Sequence, residues 1–429
     1  MRVLLTGASG FIGRHLSQAL LADGHQLVCA VRQPRPSLDP RLTFIHADFT
    51  RNTDKRAWLA RLKDIDVAIN AVGIFRQSGA QTFARLHTET PRALFAACAE
   101  SDDVQLVIQI SALGADENAQ TSYHLSKKAA DDYLATLPLR AYIIQPSLVY
   151  GKDGASARAF KTLASLPFLV RFGSAPQLVQ PVHIDDVAAA ISALLKHRLP
   201  LPPGTGTALR VPLVGPEVLS FTDYLAELRS SMGMGRPHIL RLPDSAARLA
   251  ARFGRWLPGG VLDEDALRML DRGNTADPAV TARLLGHPPR PIGQFITDPL
   301  AERTRAKLDW LLPVLRLSIA VVWIVTAIVS YGLYPPAQSY ELLARTGIPQ
   351  ALRPLMLYGA ATFDLLLGLG ILFLRRRRWL WLVQLALIGF YTVVIAFKLP
   401  EFLLHPYGPV VKNLPMLVAI WMLYQLEEN

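Results

Sequence analysis

Within the segment S-Y-H-L-S-K-K-A-A-D-D-Y-L, the types and spacing of Tyr123 and Lys127 suit them to moving a proton. They stand four residues apart in a stretch of helical character, which puts both on one face. A free tyrosine ionises at a pKa of about 10, and a neighbouring ammonium favours the phenolate, so the pair suits proton exchange with a carbonyl or alcohol oxygen near neutral pH. Just upstream, the apolar run Val104 to Ile110 ends at Ser111, a hydroxyl placed to hydrogen-bond the same oxygen. A Y-x-x-x-K spacing also arises by chance in many helices. Its weight depends on the elements that would position it.

The opening M-R-V-L-L-T-G-A-S-G-F-I-G-R-H-L supplies the first of these elements. Arg2 to Leu5 reads as a buried parallel strand running into a tight turn at Thr6-Gly7. From Phe11 the period becomes helical, with Ile12, Leu16, Leu20 and Leu21 on one side and Gly24 as the C-terminal cap. Gly7, Gly10 and Gly13 lie between. One glycine permits the turn, one lets backbone approach a pyrophosphate, and one lets helix pack on strand. The helix N-terminus then offers unpaired N–H groups and partial positive charge to an anion.

The second strand, Gln26 to Val31, ends in V-R-Q-P-R-P. A fold that prefers NAD places a carboxylate there to accept from the ribose hydroxyls. This chain has Arg32, which suits a 2′-phosphate, so NADP(H) is favoured with NAD(H) as the alternative; Arg35 and Arg14 are placed to assist.

The glycine spacing, G-x-x-G-x-x-G after a threonine, resembles the short-chain dehydrogenase/reductase superfamily in its extended and atypical branches, whose cofactor fingerprint is T-G-x-x-G-F-I-G. The resemblance implies that Thr6, Gly7, Ser9, Gly10, Phe11, Ile12 and Gly13 cradle the dinucleotide. It implies an adenine contact from Asp48 in A-D-F, with Phe49 beside it among the cofactor-binding residues, and a phosphate and ribose lining from Asn70, Ala71 and Gly73 in N-A-V-G. Ser111, Tyr123 and Lys127 become the catalytic set, with Lys127 also gripping the nicotinamide ribose. Q-P-S-L-V-Y-G is similar to the R-P-x-x-V-Y-G of the extended branch, with Gln145 in place of arginine, and puts Pro146 and Ser147 beside the nicotinamide. Q-P-V-H-I-D-D-V-A resembles that branch's V-H-V-D-D-V-A, in which His183 serves to organise the substrate side. Over residues 1–298 the chain looks most like the atypical branch that includes the NADPH-binding accessory subunit of respiratory complex I.

The chain has 429 residues, too many for one ordinary domain, and its apolar content of 51% is unevenly spread. Up to about residue 310 it reads as an α/β protein: a Rossmann-type doubly wound parallel sheet (1–298) with a small α+β lobe over 200–298, made of strand Ala208 to Val214, a helix opened by Ser220 and running to Arg229, strand His238 to Leu242, and helices near Ala246, Asp265 and Val280. A linker (299–310) follows. Leu311 to Tyr334, Pro354 to Leu374 and Trp379 to Phe397 are each long enough to cross a bilayer, and a fourth apolar stretch runs from about Tyr407 to Leu426. These four spans, with H-P-Y-G-P-V-V-K-N-L-P before the last, resemble the DoxX-like membrane family over 311–426. Asp364 lies inside the second span, where a carboxylate needs a partner; Arg316, His405 and Lys412 are candidates.

The net charge of +11 does not form a stripe interleaved with aromatics, so nucleic acid is not an expected partner. Basic residues instead flank the apolar segments, at Arg303, Arg305, Lys307 and the run Arg375 to Arg378, which suits anionic lipid and places these loops in the cytoplasm. No signal-peptide core precedes Gly7. The expected location is a bacterial-type inner membrane, with the N-terminal domain and the C-terminus cytoplasmic. Cys29 and Cys98 form no metal or disulfide pattern, and no metal site is expected.

These features point to a membrane-anchored NADP(H)-dependent oxidoreductase acting on a carbonyl, an alcohol or a quinone-like apolar substrate. The alternatives are a non-catalytic NADPH-binding structural or redox-sensing module attached to a membrane complex, and an NAD(P)-dependent epimerase or dehydratase.

Overall fold

The computed structural model describes residues 1–172, 176–197, 199–200, 207–242, 264–406 and 408–427. The chain divides into two compact units, Met1–Ala306 and Lys307–Asn429.

In the first unit, seven strands form one parallel sheet: β1 (Arg2–Thr6), β2 (Gln26–Val31), β3 (Leu42–His46), β4 (Val67–Asn70), β5 (Leu106–Ile110), β6 (Ala141–Pro146) and β7 (Ala208–Leu213). Their order is β7-β6-β5-β4-β1-β2-β3. Most strands read as unbroken apolar runs because helices cover both faces. On one face Val3, Leu5 and Ile144 pack with Leu16, Leu20, Val187 and Ile191; on the other Leu4 and Ile143 pack with Leu94, Phe95, Ala130 and Leu134. Cys29 and Cys98 are buried free thiols in these layers. The strand order turns back between β1 and β4, which opens a crevice at the C-terminal ends of the strands, where sheets of this kind bind ligands.

Strand β7 departs from the sequence expectation. Assigned above to the small lobe, it pairs in parallel with β6, from Ala208↔Ala141 to Leu213↔Pro146. Val211 and Leu213 are buried in the same core as Ile144, and β6 would otherwise present a bare edge of backbone donors and acceptors.

The lobe has its own core, in which Tyr150, Phe160, Leu169, Phe221, Tyr224, Leu228 and Phe295 come together. Its helix Phe221–Ser231 begins as the sequence predicts, with the Ser220 hydroxyl accepting from the Asp223 N–H. Helices Glu264–Arg272 and Ala279–Leu285 match expectation, whereas the helix expected near Ala246 lies outside the described residues. His183 caps helix Ile184–Lys196, its Nδ1 accepting from the Asp185 N–H at 3.2 Å.

The second unit is helical. Among the described residues three helices, Pro299–Leu333, Gln350–Phe373 and Arg378–Lys398, are long and apolar enough to cross a membrane; the first begins before the unit boundary and includes the expected linker 299–310. The fourth apolar helix, Asn413–Leu426, has 14 residues. At 1.5 Å per residue it is about 21 Å long, less than a hydrocarbon core of about 30 Å. Trp323, Leu367, Trp381, Ile420 and Leu423 form the centre, where the Trp323 indole donates to Gln384 Oε1 at 2.8 Å. Asp364 is 7% exposed and its Oδ1 has no hydrogen-bond partner among the described residues; Arg316, one candidate for it, pairs with Glu427 at 3.5 Å.

Candidate functional site

Strand β1 delivers Thr6 and then Gly7, whose φ of +72° reverses the chain. A side chain cannot be accommodated here: a Cβ on Gly7 would lie 2.6 Å from the Ala71 carbonyl oxygen, and one on Gly13 would lie 2.1 Å from the Gly7 carbonyl oxygen. The Gly10 N–H closes the turn on the Gly7 carbonyl at 2.9 Å, and Gly10 is the N-cap of helix Phe11–Ala22, whose first turn has no acidic residue. Ser9 and Gly10 are exposed. The result is a bare, positively polarised backbone cradle that fits a pyrophosphate. Phe11 packs its ring against Gly151 and Gly154, and Ile12 packs on the sheet core, so both act by holding the turn in place.

A buried ladder links three strand ends. The Thr6 hydroxyl donates to Asn70 Oδ1 at 2.7 Å, and Asn70 Nδ2 donates to Gln109 Oε1 at 2.7 Å. Val72 N–H also donates to Asn70 Oδ1, at 3.3 Å. The side chains of Thr6 and Asn70 are therefore engaged inside the sheet. What this stretch offers the crevice is backbone at Ala71 and exposed Gly73, whose added Cβ would stand 3.2 Å from Lys127 Nζ.

Lys127 is 3% exposed and donates to the carbonyls of Ile110 (3.0 Å) and Val72 (3.4 Å). Burial pushes its pKa down to about 8, against an opposing pull from Asp131. Tyr123, one helical turn earlier, sits in an aromatic nest. Phe75 stacks on it at 5.1 Å and 15°, while His87 meets it edge-on at 5.5 Å. Burial raises the phenol's pKa, and the Asp131 carboxylate adds to the effect. This reverses the expectation of a lysine-stabilised phenolate, because loss of solvent and the Asp131 charge both disfavour the phenolate. The phenol holds its proton and is set up as a donor.

His87 has its tautomer assigned by its neighbours. The Ile74 N–H donates to Nε2 at 3.0 Å, so Nδ1 carries the hydrogen and donates to Ser126 Oγ at 3.0 Å; Ser126 in turn donates to the Tyr123 carbonyl at 2.7 Å. Burial drives this imidazole's pKa down to about 2, with the Lys127 charge adding to it.

Ser111 is 4% exposed, and its hydroxyl donates to Asp131. The sequence reading assigned that hydroxyl to the reacting oxygen and missed Asp131. The available signal was periodicity, since Tyr123, Lys127 and Asp131 follow at four-residue steps along one helix face.

The remaining expected residues divide between crevice and interior. Arg32 is exposed at the end of β2. Asp48 is partly buried, which alone would raise its pKa, but bonds from the Thr50 N–H (2.9 Å) and hydroxyl (2.8 Å), with the charges of Arg51 and Arg32, hold it below the usual range. Phe49, expected among the cofactor-binding residues, lies in the core, 6% exposed and edge-on to Trp58 at 5.3 Å. Pro146 closes β6 and accepts from the Leu113 N–H at 3.0 Å, while the Ser147 hydroxyl donates to the Gln180 carbonyl at 2.5 Å. Arg14 is engaged by Asp153 at 2.7 Å, away from the assisting role considered for it.

With this geometry in place, residues 3–204 match the NAD dependent epimerase/dehydratase family and residues 320–421 the DoxX-like family. The chain joins an epimerase/dehydratase-family domain to a DoxX-like membrane domain. It is 27% identical to the ceramide reductase of Caulobacter vibrioides over 252 residues, 56% of this chain and 74% of that one. It is equally 27% identical, over 253 residues, to the mitochondrial NADH dehydrogenase (ubiquinone) 1 alpha subcomplex subunit 9 of Arabidopsis thaliana, covering 57% of this chain and 61% of the plant subunit. Among solved structures, UDP-glucuronic acid 4-epimerase from Bacillus cereus, in complex with UDP-glucuronic acid and NAD, superposes with a TM-score of 0.51 at 22% identity, over 72% of this chain and 100% of that one. A nucleoside-diphosphate-sugar epimerase from Staphylococcus aureus gives 0.55 at 18% identity, over 70% and 100%. At these identities the structures establish the fold. The epimerase/dehydratase-family domain binds a nicotinamide dinucleotide, which the bare glycine cradle fits, and the DoxX-like domain with its apolar helices makes the chain a membrane protein.

Proposed function

We propose that this protein is a membrane-anchored, NADP(H)-dependent oxidoreductase that reduces a carbonyl, or oxidises the corresponding alcohol, on an apolar lipid-like substrate. The observation that carries the reading is the Tyr123–Lys127 face beside Gly73, with a protonated phenol under the exposed ring of Phe75. Lys127 would donate to the nicotinamide ribose from a site already lined by backbone carbonyls. Tyr123 would give its proton to the substrate oxygen as charge develops there. The nicotinamide ring, when bound, supplies the hydride. Arg32, where an NAD-preferring chain would carry a carboxylate, supports a 2′-phosphate and hence NADP(H). The apolar substrate is supported by the likeness to a ceramide reductase and by the membrane helices. Basic residues at Arg375 to Arg378 and at Arg303 to Lys307 support a bacterial cytoplasmic membrane with the first unit and the C-terminus inside.

The test is NADPH oxidation by the detergent-solubilised chain with long-chain keto-lipids, quinones and small soluble carbonyls as separate substrates. Faster turnover of a keto-lipid is expected. Equal turnover of soluble carbonyls would overturn the lipid assignment, and preference for a quinone would redirect it. The likeness to a complex I subunit supports a second reading, a nucleotide-binding module without turnover. Tyr123→Phe separates the two: an enzyme loses about 10²- to 10⁴-fold in rate while nucleotide affinity stays, whereas a module shows no turnover in either form. The epimerase/dehydratase match supports a third, in which cofactor stays bound and is not consumed.

A further inference from the structure

Asp131 has no assigned role and is wholly buried in the site. It is 0% exposed, and its Oδ1 has no hydrogen-bond partner among the described residues. A carboxylate in that position is costly unless opposite charge offsets it. Charged groups act on it from two elements. From its own helix come Lys127, one turn earlier, and the repelling Asp132; from β7 comes Arg210, 3.6 Å away, although that guanidinium also bonds Asp132 at 2.6 Å. Beside it is the Ser111 hydroxyl of β5; two helical turns earlier lies the protonated phenol of Tyr123, which feels its charge, and beyond Lys127 stands His87, which burial keeps neutral.

Lys127 shows the same situation in reverse. Its two hydrogen bonds run to neutral backbone carbonyls, and its side chain is almost wholly buried. Burial favours the neutral amine, and Asp131 is the group whose field opposes that. The two side chains are four residues apart on one helix face, and Ser111 pins the carboxylate from the strand beneath.

We propose that Asp131 is a positioning residue that keeps Lys127 an ammonium, aimed at the ribose of bound nucleotide, and that Ser111 serves this carboxylate. The inference rests on the nucleotide-binding oxidoreductase reading above. Without the Asp131 charge, Lys127 becomes an amine at a lower pH and its grip on the ribose weakens from alkaline pH downward. A purely structural role for Asp131 would lower affinity equally at every pH.

The experiment measures dissociation constants for NADPH and NADH by nucleotide fluorescence from pH 6 to 9, on the full chain in detergent. The proteins compared are the wild type, Asp131→Asn, Asp131→Glu, Lys127→Met and the double variant Asp131→Asn/Lys127→Met. In Asp131→Asn the alkaline midpoint is expected about one unit lower, so that affinity falls about fivefold at pH 8 and stays within about twofold of wild type at pH 6. Asp131→Glu restores the midpoint. Lys127→Met abolishes the dependence, and adding Asp131→Asn to it changes nothing further. The double variant removes both buried charges together, so it keeps the comparison informative if Asp131→Asn alone folds poorly. An unshifted midpoint in Asp131→Asn, a uniform loss at all pH values, or an effect of Asp131→Asn in the Lys127→Met background would overturn the proposal and leave the oxidoreductase reading intact. A wild-type chain that binds neither nucleotide would overturn both.

Discussion

The ring of Phe75, 73% exposed, lies nearly parallel to the ring of Tyr123, with centroids 5.1 Å apart and planes 15° from each other. An aromatic side chain this exposed gains little from burial, so its position reflects the stacking contact itself. Phe75 thereby forms an apolar wall over the phenol proposed above as the proton donor.

That wall makes substrate recognition separable from chemistry. Phe75→Ala is expected to raise KM for an apolar substrate by about 2- to 10-fold, the worth of an aromatic contact of about 0.5–1.5 kcal/mol, with kcat changed less. Steady-state kinetics on a keto-lipid and on a small soluble carbonyl check this. An equal fall in kcat for both would show that the ring orients Tyr123 instead.

Gly13 is the least replaceable residue of the cradle, since an added Cβ would stand 2.1 Å from the Gly7 carbonyl oxygen and both neighbours are backbone. Gly13→Ala is expected to cost at least about 2 kcal/mol in stability and to remove measurable nucleotide binding, as strained close packing does. Gly24→Ala is the control for glycine strain away from the site: its φ is +82°, but nothing lies within 4 Å of the new Cβ. It should lower the melting temperature without touching affinity.

The choice of dinucleotide is expected to follow Arg32. Arg32→Glu exchanges a cation for a ribose-binding carboxylate and should lower the NADPH-to-NADH affinity ratio at least about tenfold, the scale of one charge-assisted contact. Titrations with both nucleotides read the ratio directly. An unchanged ratio would leave the 2′-phosphate without its assigned partner.

His87 carries a pH-dependent share of stability. Its folded pKa is about 2, and its ordinary value is 6.5. Below 6.5 the unfolded chain therefore takes up a proton that the folded one refuses, and stability falls as the pH drops from 6.5 toward 2. Between pH 7 and pH 5 the wild type should lose about 2 kcal/mol more than His87→Gln, at about 1.4 kcal/mol per unit below 6.5. Asp131 has a folded pKa raised to about 7, so it acts in the opposite sense, but equally in both proteins. Denaturant unfolding at the two pH values measures the difference.

By itself the sequence determined much of what depends on local spacing: the glycine turn between strand and helix, the shared face of Tyr123 and Lys127, the helix start at Ser220, and the apolar helices after residue 310. These follow from the short range of backbone sterics and from the periods of helix and strand, which a chain displays without knowing its neighbours. Tertiary structure alone decided the partners of polar groups. It turned the Ser111 hydroxyl to Asp131, engaged Arg14 with Asp153, buried Phe49 against Trp58, and moved Ala208–Leu213 into the main sheet. It also raised the phenol's pKa where charge spacing predicted a fall. Desolvation and unpaired strand edges are properties of what surrounds a residue in space, and residues 9 to 139 positions away supply them here.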